Sequence, residues 1–216
     1  MGFTVGENRV ARLCSLQGIS STIIKRRGPG KKAGPAVHDD HVMRDFTAEA
    51  VNVKWLVDIT EHGTLEGKIY LCAIKDCASR RIVGYAINSR MTSELAVGAL
   101  RMAIMLRGRQ AGTIVNSDRG GQFRSKKFAM TLRNNGLIGS MGRVASAGDN
   151  AAMESFFALL QKNVLNRKQW ATREELRLAI VTWIERTYHR RRRQRGLGKL
   201  TPIEFETIYS QVALAA

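Results

Sequence analysis

Residues 51–60 have the sequence VNVKWLVDIT, in which apolar side chains alternate and one carboxylate interrupts them. Val53, Trp55 and Val57 would lie on one face of a strand, and Asp58 would lie on the opposite face. A carboxylate among apolar neighbours costs free energy unless it is paired or binds a cation. This stretch therefore predicts a buried strand that carries one carboxylate, which is either a paired structural residue or a ligand of a cation.

The segments that follow residue 60 predict a mixed sheet with helices packed on it. Two more strands are expected over residues 68–77 and 81–88, and their short separations favour an antiparallel meander of three. The remaining elements are expected as strands over residues 113–117 and 137–141, as helices over residues 92–106, 126–135, 149–164 and 172–191, and as a last helix that begins at Thr201 and Pro202. An α/β fold satisfies this order, with a five-stranded sheet that is antiparallel in one half and parallel in the other.

Three segments of different composition divide the chain. Residues 1–44 form a basic N-terminal segment, in which a short helix over residues 8–16 precedes an extended basic arm over Lys25–Lys32. Residues 45–166 contain the predicted sheet, and residues 167–216 form a basic helical tail. We therefore expect one α/β core between two basic flanks.

The charge balance indicates a polyanionic partner. Lys and Arg number 35 against 18 Asp and Glu, which gives a formal net charge of +17, while 44% of the residues are hydrophobic and can form a core. Nucleic acid is the simplest polyanion that matches this charge, and an anionic membrane surface is the second.

Two classes of protein are not expected from this sequence. The longest nearly apolar stretch, residues 95–106, is interrupted by Arg101 and is shorter than the ~20 residues of a membrane span. The N-terminus lacks the pattern of a secretory signal, and the three cysteines have no disulfide-framework spacing. We therefore expect a cytoplasmic protein that does not enter a membrane.

Two further acids accompany Asp58 in a chain that is poor in acid. Asp118 directly follows the strand predicted over residues 113–117, and Glu154 lies one turn into a predicted helix, beside Met153. The two strands and the helix that carry these carboxylates would be neighbours in the predicted fold. The negative charges would repel one another there without a counter-ion. Mg²⁺ prefers oxygen ligands and bridges to phosphate. The trio therefore predicts a magnesium site.

Three stretches around these acids resemble the acidic motifs of the DDE transposases. They are Trp55–Thr60 (WLVDIT), Asn116–Phe123 (NSDRGGQF) and Asp149–Phe157 (DNAAMESFF). Residues within 75–84 and 190–204 also resemble the bacterial insertion-sequence group of this family, whose catalytic core is similar to retroviral integrase. The resemblance covers residues 45–206 and implies an RNase H-like fold, which agrees with the predicted order of strands.

The resemblance also implies a reaction and its partners. Asp58, Asp118 and Glu154 would be the catalytic residues and would hold two Mg²⁺ ions, for which Mn²⁺ can substitute, in a transposase that nicks and joins DNA. The implied partners are double-stranded DNA, as element ends and target, and further copies of the chain. Residues 5–27 look like the final part of a helix-turn-helix module, so a separate helix-turn-helix partner is also expected. The bacterial nucleoid would be the place of action.

Basic residues on both flanks and near the acids are the expected DNA contacts, because Lys and Arg bind phosphate oxygens. They are Lys25, Arg26, Arg27, Lys31, Lys32, Arg119, Lys126, Lys162, Arg190, Arg191, Arg192 and Arg193. Asn116 and Asn150 are expected to support the acids.

The chain departs from the usual pattern of this group at three positions. Asn116 stands where His is usual, Gly121 where Ser is frequent, and Gln161 where a basic residue often lies. Asn116 can donate a hydrogen bond, but it cannot titrate. Two alternatives to a transposase therefore stay open. One is an RNase H-like nuclease that only hydrolyses DNA, and the other is a catalytically decayed protein that only binds DNA.

Overall fold

The computed structural model describes residues 6–17, 35–108, 110–142 and 151–215 of the chain. The chain divides into two units, Met1–Lys32 and Ala33–Ala216. The first unit contains helix α1 (Glu7–Leu16), which confirms the helix expected over residues 8–16. The basic arm, Lys25–Lys32, lies outside the described residues. The division at residues 44 and 166 stays a prediction.

A five-stranded mixed sheet forms the centre of the second unit. Its strands are β1 (Lys54–Thr64), β2 (Gly67–Asp76), β3 (Ile82–Asn88), β4 (Ile114–Ser117) and β5 (Ile138–Met141). The order across the sheet is β3-β2-β1-β4-β5. Strands β1, β2 and β3 form an antiparallel meander, whereas β4 is parallel to β1 and β5 is parallel to β4. The predicted α/β architecture and both halves of the sheet are confirmed.

Helices follow the strands at nearly all of the expected places. They are α2 (Ser93–Arg107), α3 (Lys126–Asn134), α4 (Ala151–Asn163), α5 (Arg173–Thr182) and α6 (Pro202–Ala215), with short 3₁₀ turns at Leu165–Arg167 and Arg195–Leu197. Helix α6 begins with a reciprocal cap, since the Glu204 N–H donates to Thr201 Oγ1 at 3.2 Å and the Thr201 N–H donates to Glu204 Oε2 at 2.9 Å. None of the helices in the described ranges is both long and apolar enough to cross a membrane.

The prediction of one continuous α-helix over residues 172–191 is wrong. Helix α5 ends at Thr182 and continues as a π-helix, Trp183–Tyr188. The wider π turns accompany two contacts with the sheet edge: the Tyr188 hydroxyl donates to the Arg80 carbonyl at 2.9 Å, and His189 Nε2 accepts the Ile82 N–H at 3.1 Å. Hydrophobic periodicity does not report such contacts, because they join residues more than a hundred positions apart in the chain.

Side chains of β1 alternate between two apolar clusters, one on each face of the sheet. Trp55 and Val57 are fully buried in the cluster that contains residues of α2 and α3. Leu56 is fully buried in the other cluster, with residues of α4 and α5. Asp58 follows this alternation and shares the face of Leu56, as predicted. Val53, which precedes the strand, is 46% exposed.

Candidate active site

Two of the predicted acids lie at matching positions along two neighbouring strands, Asp58 on β1 and Asp118 directly after β4. Strands β1 and β4 run parallel, and the last pair in their register joins Leu56 to Asn116. Asp58 and Asp118 each lie two residues beyond this pair. Adjacent strands in a sheet lie about 4.8 Å apart. The parallel pairing therefore brings both acids to the same region, although 59 residues separate them in the sequence.

The third acid is carried to the same face of the sheet by α4. Met153 and Phe156 of this helix are fully buried and share an apolar cluster with Leu56 of β1. Glu154 lies beside Met153 in the first turn of the helix and is exposed. Packing of Met153 and Phe156 thus holds the helix that carries Glu154 over the face to which Asp58 belongs.

Asp118 is held by the backbone of the loop that follows β4. Its Oδ1 accepts the N–H of Gly120 at 2.8 Å, which is a local turn that Asp commonly forms. A Cβ atom added at Gly120 would lie 2.8 Å from the same oxygen, closer than van der Waals contact allows. A glycine at this position therefore leaves room for the carboxylate.

The donor chemistry of the three acids fits Mg²⁺, but their side chains do not converge in the structure. Across the described part of the chain, no three His, Cys, Asp or Glu side chains lie close enough together to hold one metal ion. In that same part, neither Asp118 nor Glu154 forms a salt bridge, although the chain carries 35 Lys and Arg. Carboxylates without a basic partner in so basic a protein are suited to bind a divalent cation.

Asn116 differs from the acids because it is buried. It is 5% exposed, and its Oδ1 has no hydrogen-bond partner among the described residues. It lines a cavity of about 300 Å³ together with Asp40, Arg44 and Gly142. Asn150, the other predicted supporting residue, lies outside the described residues, so its role stays a prediction.

The residues predicted to contact DNA fall into three groups. Lys25, Arg26, Arg27, Lys31 and Lys32 lie outside the described residues. The side chains of Lys126, Lys162, Arg190 and Arg191 are exposed and can reach a phosphate backbone. Two of the others contact the protein itself, since Arg119 Nε donates to the Gly142 carbonyl at 2.9 Å and Arg193 donates to Lys199 O and Glu204 Oε1, both at 3.2 Å. Arg192 is half-buried, and its Nε has no hydrogen-bond partner among the described residues.

A buried lysine next to the candidate site was not predicted from the sequence. Lys75 on β2 is only 6% exposed, and its Nζ donates to the carbonyl of Ala152 in the first turn of α4 at 2.8 Å. Burial, together with the nearby charge of Arg80, lowers the pKa of Lys75 to about 8. The available signal was a lysine that follows three apolar residues in a predicted strand.

Comparison with known families finds integrase cores along most of the chain. Residues 48–147 match one family model described as an integrase core domain, and residues 135–202 match a second model with the same description. Together these two matches span all five strands and the helices that carry the candidate site.

Curated relatives are transposases of bacterial insertion sequences. The chain is 35% identical over 207 residues to the transposase InsF for insertion sequence IS3A of Escherichia coli (strain K12), covering 95% of this chain and 72% of that protein. It is 34% identical over 209 residues to the transposase for insertion sequence element IS629 of Shigella sonnei, covering 96% of this chain and 70% of that protein.

Solved structures with a similar fold are retroviral integrases. The catalytic core domain of the HTLV-2 integrase, in complex with magnesium in a trimeric form, matches with a TM-score of 0.54 at 18% identity, over 73% of this chain and 98% of that one. A simian T-cell lymphotropic virus intasome, in complex with the PP2A regulatory subunit B56 gamma, matches with a TM-score of 0.51 at 18% identity. This match covers 82% of this chain and 64% of that one. These likenesses confirm the RNase H-like fold.

Proposed function

Because this chain belongs to the insertion-sequence transposases with an integrase-like core, we propose that it cuts and joins DNA at the ends of an insertion sequence. The observation that carries the proposal is the position of three acids. Asp58 on β1 and Asp118, the residue after β4, occupy matching positions along two parallel neighbouring strands, and Glu154 lies on the helix that covers this face.

Asp58, Asp118 and Glu154 would hold two Mg²⁺ ions. When bound, the metal pair supplies activation of the attacking oxygen and stabilisation of the leaving 3′-oxygen. The chain itself would provide the three carboxylates as metal ligands on one face of the sheet, and it would bind DNA phosphates nearby. Lys126 is suited to the second task because its side chain is exposed and it follows Asp118 closely in the chain.

The reaction conserves phosphodiester bonds when strands are joined. In nicking, the oxygen of water attacks phosphorus, the bond from phosphorus to the 3′-oxygen breaks, and one proton of the water passes to the leaving 3′-oxygen. In joining, the 3′-hydroxyl oxygen of one DNA strand attacks a phosphorus of the target, and the target's own 3′-oxygen leaves with a proton. No side chain forms a covalent bond to DNA, so neither step needs a nucleophilic Ser or Tyr.

Two DNA ends must be held together for joining, and we propose that several copies of the chain assemble to do so. The solved intasome named above shows a related fold within a larger assembly. The strongly positive charge of this chain would draw several DNA segments to such an assembly, with an affinity that falls steeply as salt rises.

Replacing Asp118 by Asn tests the proposal. The wild-type chain is incubated with DNA that carries the ends of its own element, a target DNA and Mg²⁺ or Mn²⁺, and products are separated on a denaturing gel. We expect Asp118→Asn to lower strand joining at least about a hundredfold, because a neutral amide binds the metal poorly. DNA affinity, measured by fluorescence anisotropy, should stay near that of the wild type.

Glu61→Gln is the matched control, because Glu61 is an exposed acid on β1 that pairs with Lys68 away from the site. This variant should join strands at the wild-type rate. Equal joining by Asp118→Asn and wild type would contradict the proposal. Nicked products without joined ones would favour the hydrolytic nuclease, and binding without any product would favour the DNA-binding protein.

A further inference from the structure

A second cavity lies on the same face of the sheet and is lined by basic side chains. It has a volume of about 440 Å³ and is enclosed by the end of β2, the first turns of α4 and the turn at residues 194–196. Leu56, Phe156 and Tyr188 form apolar parts of its wall. A purely apolar wall would suit an apolar ligand, but this wall also holds polar side chains, and both of its charged side chains are cations.

Two cations face this cavity without an acidic partner. Lys75 uses one of its three N–H groups on the carbonyl of Ala152, which leaves two donors. Arg80 also lines the cavity, and its charge lies close enough to add to the lowering of the pKa of Lys75, of which burial is the larger cause. Within residues 35–108, 110–142 and 151–215, no carboxylate lies within salt-bridge distance of either side chain.

Two other arginines near this cavity, unlike Lys75 and Arg80, do have an acidic partner. Arg81 and Arg107 share the carboxylate of Glu206, with the Arg81 Nη1 to Glu206 Oε2 distance at 2.6 Å. Arg81 and Arg107 therefore have a carboxylate partner, whereas Arg80 and Lys75 have none among the described residues. Two like charges in one buried cavity repel each other unless an anion lies between them.

Gln194 adds a third donor to the same cavity. Its Nε2 is buried, and its side-chain amide faces the hydroxyl of Tyr188, another residue of the cavity wall. A phosphate oxygen is a stronger acceptor for an amide N–H than a neutral hydroxyl is, because it is charged. An ammonium, a guanidinium and an amide in one cavity make a donor set that matches the oxygens of a phosphate group.

We propose that this cavity binds a phosphate group through Lys75, Arg80 and Gln194. The ligand is either a phosphate of the DNA backbone or a free phosphate. The first source rests on the function proposed above, and the second does not. Ser155 lines the cavity and is the next residue after Glu154. A DNA phosphate bound here would therefore lie beside the candidate active site and position the strand along α4.

Inorganic phosphate is the first ligand to test on the full chain. We expect phosphate, compared with sodium chloride at equal ionic strength, to raise the melting temperature of the wild type by about 4 °C. Lys75→Met should lose this rise, because it removes the charge and keeps the length of the side chain. Lys168→Met, which removes an exposed lysine over Trp170, should keep the rise.

Two more variants keep the proposal testable if the Lys75→Met chain does not fold. Gln194→Leu removes the side-chain amide donor from the cavity. Gly196→Ala displaces Arg80, since a Cβ atom there would collide with the Arg80 guanidinium group. Both should shrink the phosphate-dependent rise. An equal rise in the wild type and all three cavity variants, or no rise in the wild type, would overturn the proposal.

Binding of a short DNA duplex distinguishes the two sources. If the ligand is a DNA phosphate, Lys75→Met should weaken duplex binding about tenfold and lower the salt slope by about one, and inorganic phosphate should compete. If the ligand is free phosphate, duplex affinity should not change. Asp118→Asn should keep the phosphate-dependent rise in melting temperature, because that rise does not depend on DNA cutting. The phosphate test therefore gives an answer even if the proposed function is wrong.

Discussion

At Asp118, a single backbone hydrogen bond orients the candidate metal ligand. The N–H of Gly120 donates to Oδ1 at 2.8 Å, and the loop can close on the carboxylate because residue 120 has no side chain. Position 121 is different, since a Cβ atom at Gly121 would meet no other atom within 4 Å. A side chain at position 120 would thus collide with the Asp118 carboxylate, whereas one at position 121 would not. The difference can be measured with alanine variants.

Gly120→Ala should lower metal-dependent strand joining by about tenfold or more, because a small misplacement of a catalytic group is costly. The new methyl group would push Oδ1 of Asp118 away from its hydrogen bond. Gly121→Ala should join strands at the wild-type rate. Both rates are measured in the gel assay with Mn²⁺, and melting temperatures confirm that the variants are folded. Equal activity of the two variants would show that the orientation of Asp118 does not depend on Gly120.

Among the elements, β3 and α2 make the closest backbone approach at a glycine. A Cβ atom at Gly84 of β3 would lie 2.6 Å from the backbone nitrogen of Ala103 and would also collide with the carbonyl of Ala99. Because both obstacles are helix backbone, α2 would have to move away from the sheet. The contact also explains the small residues on α2, where Ala99 and Ala103 are fully buried.

Gly84→Ala should lower the free energy of unfolding by about 2–3 kcal/mol, since overpacking a dense core forces the backbone to shift. Gly63→Ala is the matched control in another strand, because a Cβ atom there meets nothing within 4 Å. Urea denaturation of both variants gives the comparison. A Gly84→Ala protein as stable as Gly63→Ala would mean that α2 adjusts without cost.

On the scale of the whole second unit, Glu206 attaches the C-terminal helix to the core. Arg81, which precedes β3, and Arg107, at the end of α2, both bind its carboxylate. Burial of Glu206 would raise its pKa, but the hydrogen bonds from Arg107, Ser79 and Arg81 outweigh it and leave the pKa below the usual value of 4.5. The carboxylate is therefore more stable as an anion in the folded protein.

Glu206→Gln should lower the free energy of unfolding at pH 7 by about 3 kcal/mol, because it leaves two partly buried arginines without their anion. The depressed pKa of Glu206 means that its stabilisation is present above pH 4.5 and is lost as the pH falls through the folded-state pKa. The difference between wild type and variant should therefore shrink in acid. Urea denaturation at pH 7 and pH 4 measures it.

Glu174→Gln is the control for this pH series. Its carboxylate forms an exposed pair with Arg177, three residues along α5. Water screens such pairs, so the stability of this variant should follow the wild type at both pH values. A difference between wild type and Glu206→Gln that is the same at pH 7 and pH 4 would contradict the role assigned to the ion pairs.

Much of the fold was predictable because local patterns carry it. The alternation in β1 and the start of the last helix at Thr201 and Pro202 both depend on residues close together in the chain, and the structure confirms them. The π-helix Trp183–Tyr188 was not predictable. Tyr188 at its end donates to the backbone of Arg80, and His189 directly after it accepts from the backbone of Ile82. A helical periodicity of apolar residues looks the same with or without these contacts.

The order of elements, the positive charge and the three acids come from the amino-acid sequence, because each is a property of composition or of neighbours along the chain. The tertiary structure decided which acids share a face, since the register of β1 with β4 joins residues 60 positions apart. It also decided that Lys75 and Arg80 share a cavity without acid, while Glu206 binds Arg81 and Arg107. Charge partners depend on distance in space, and only packing sets that distance.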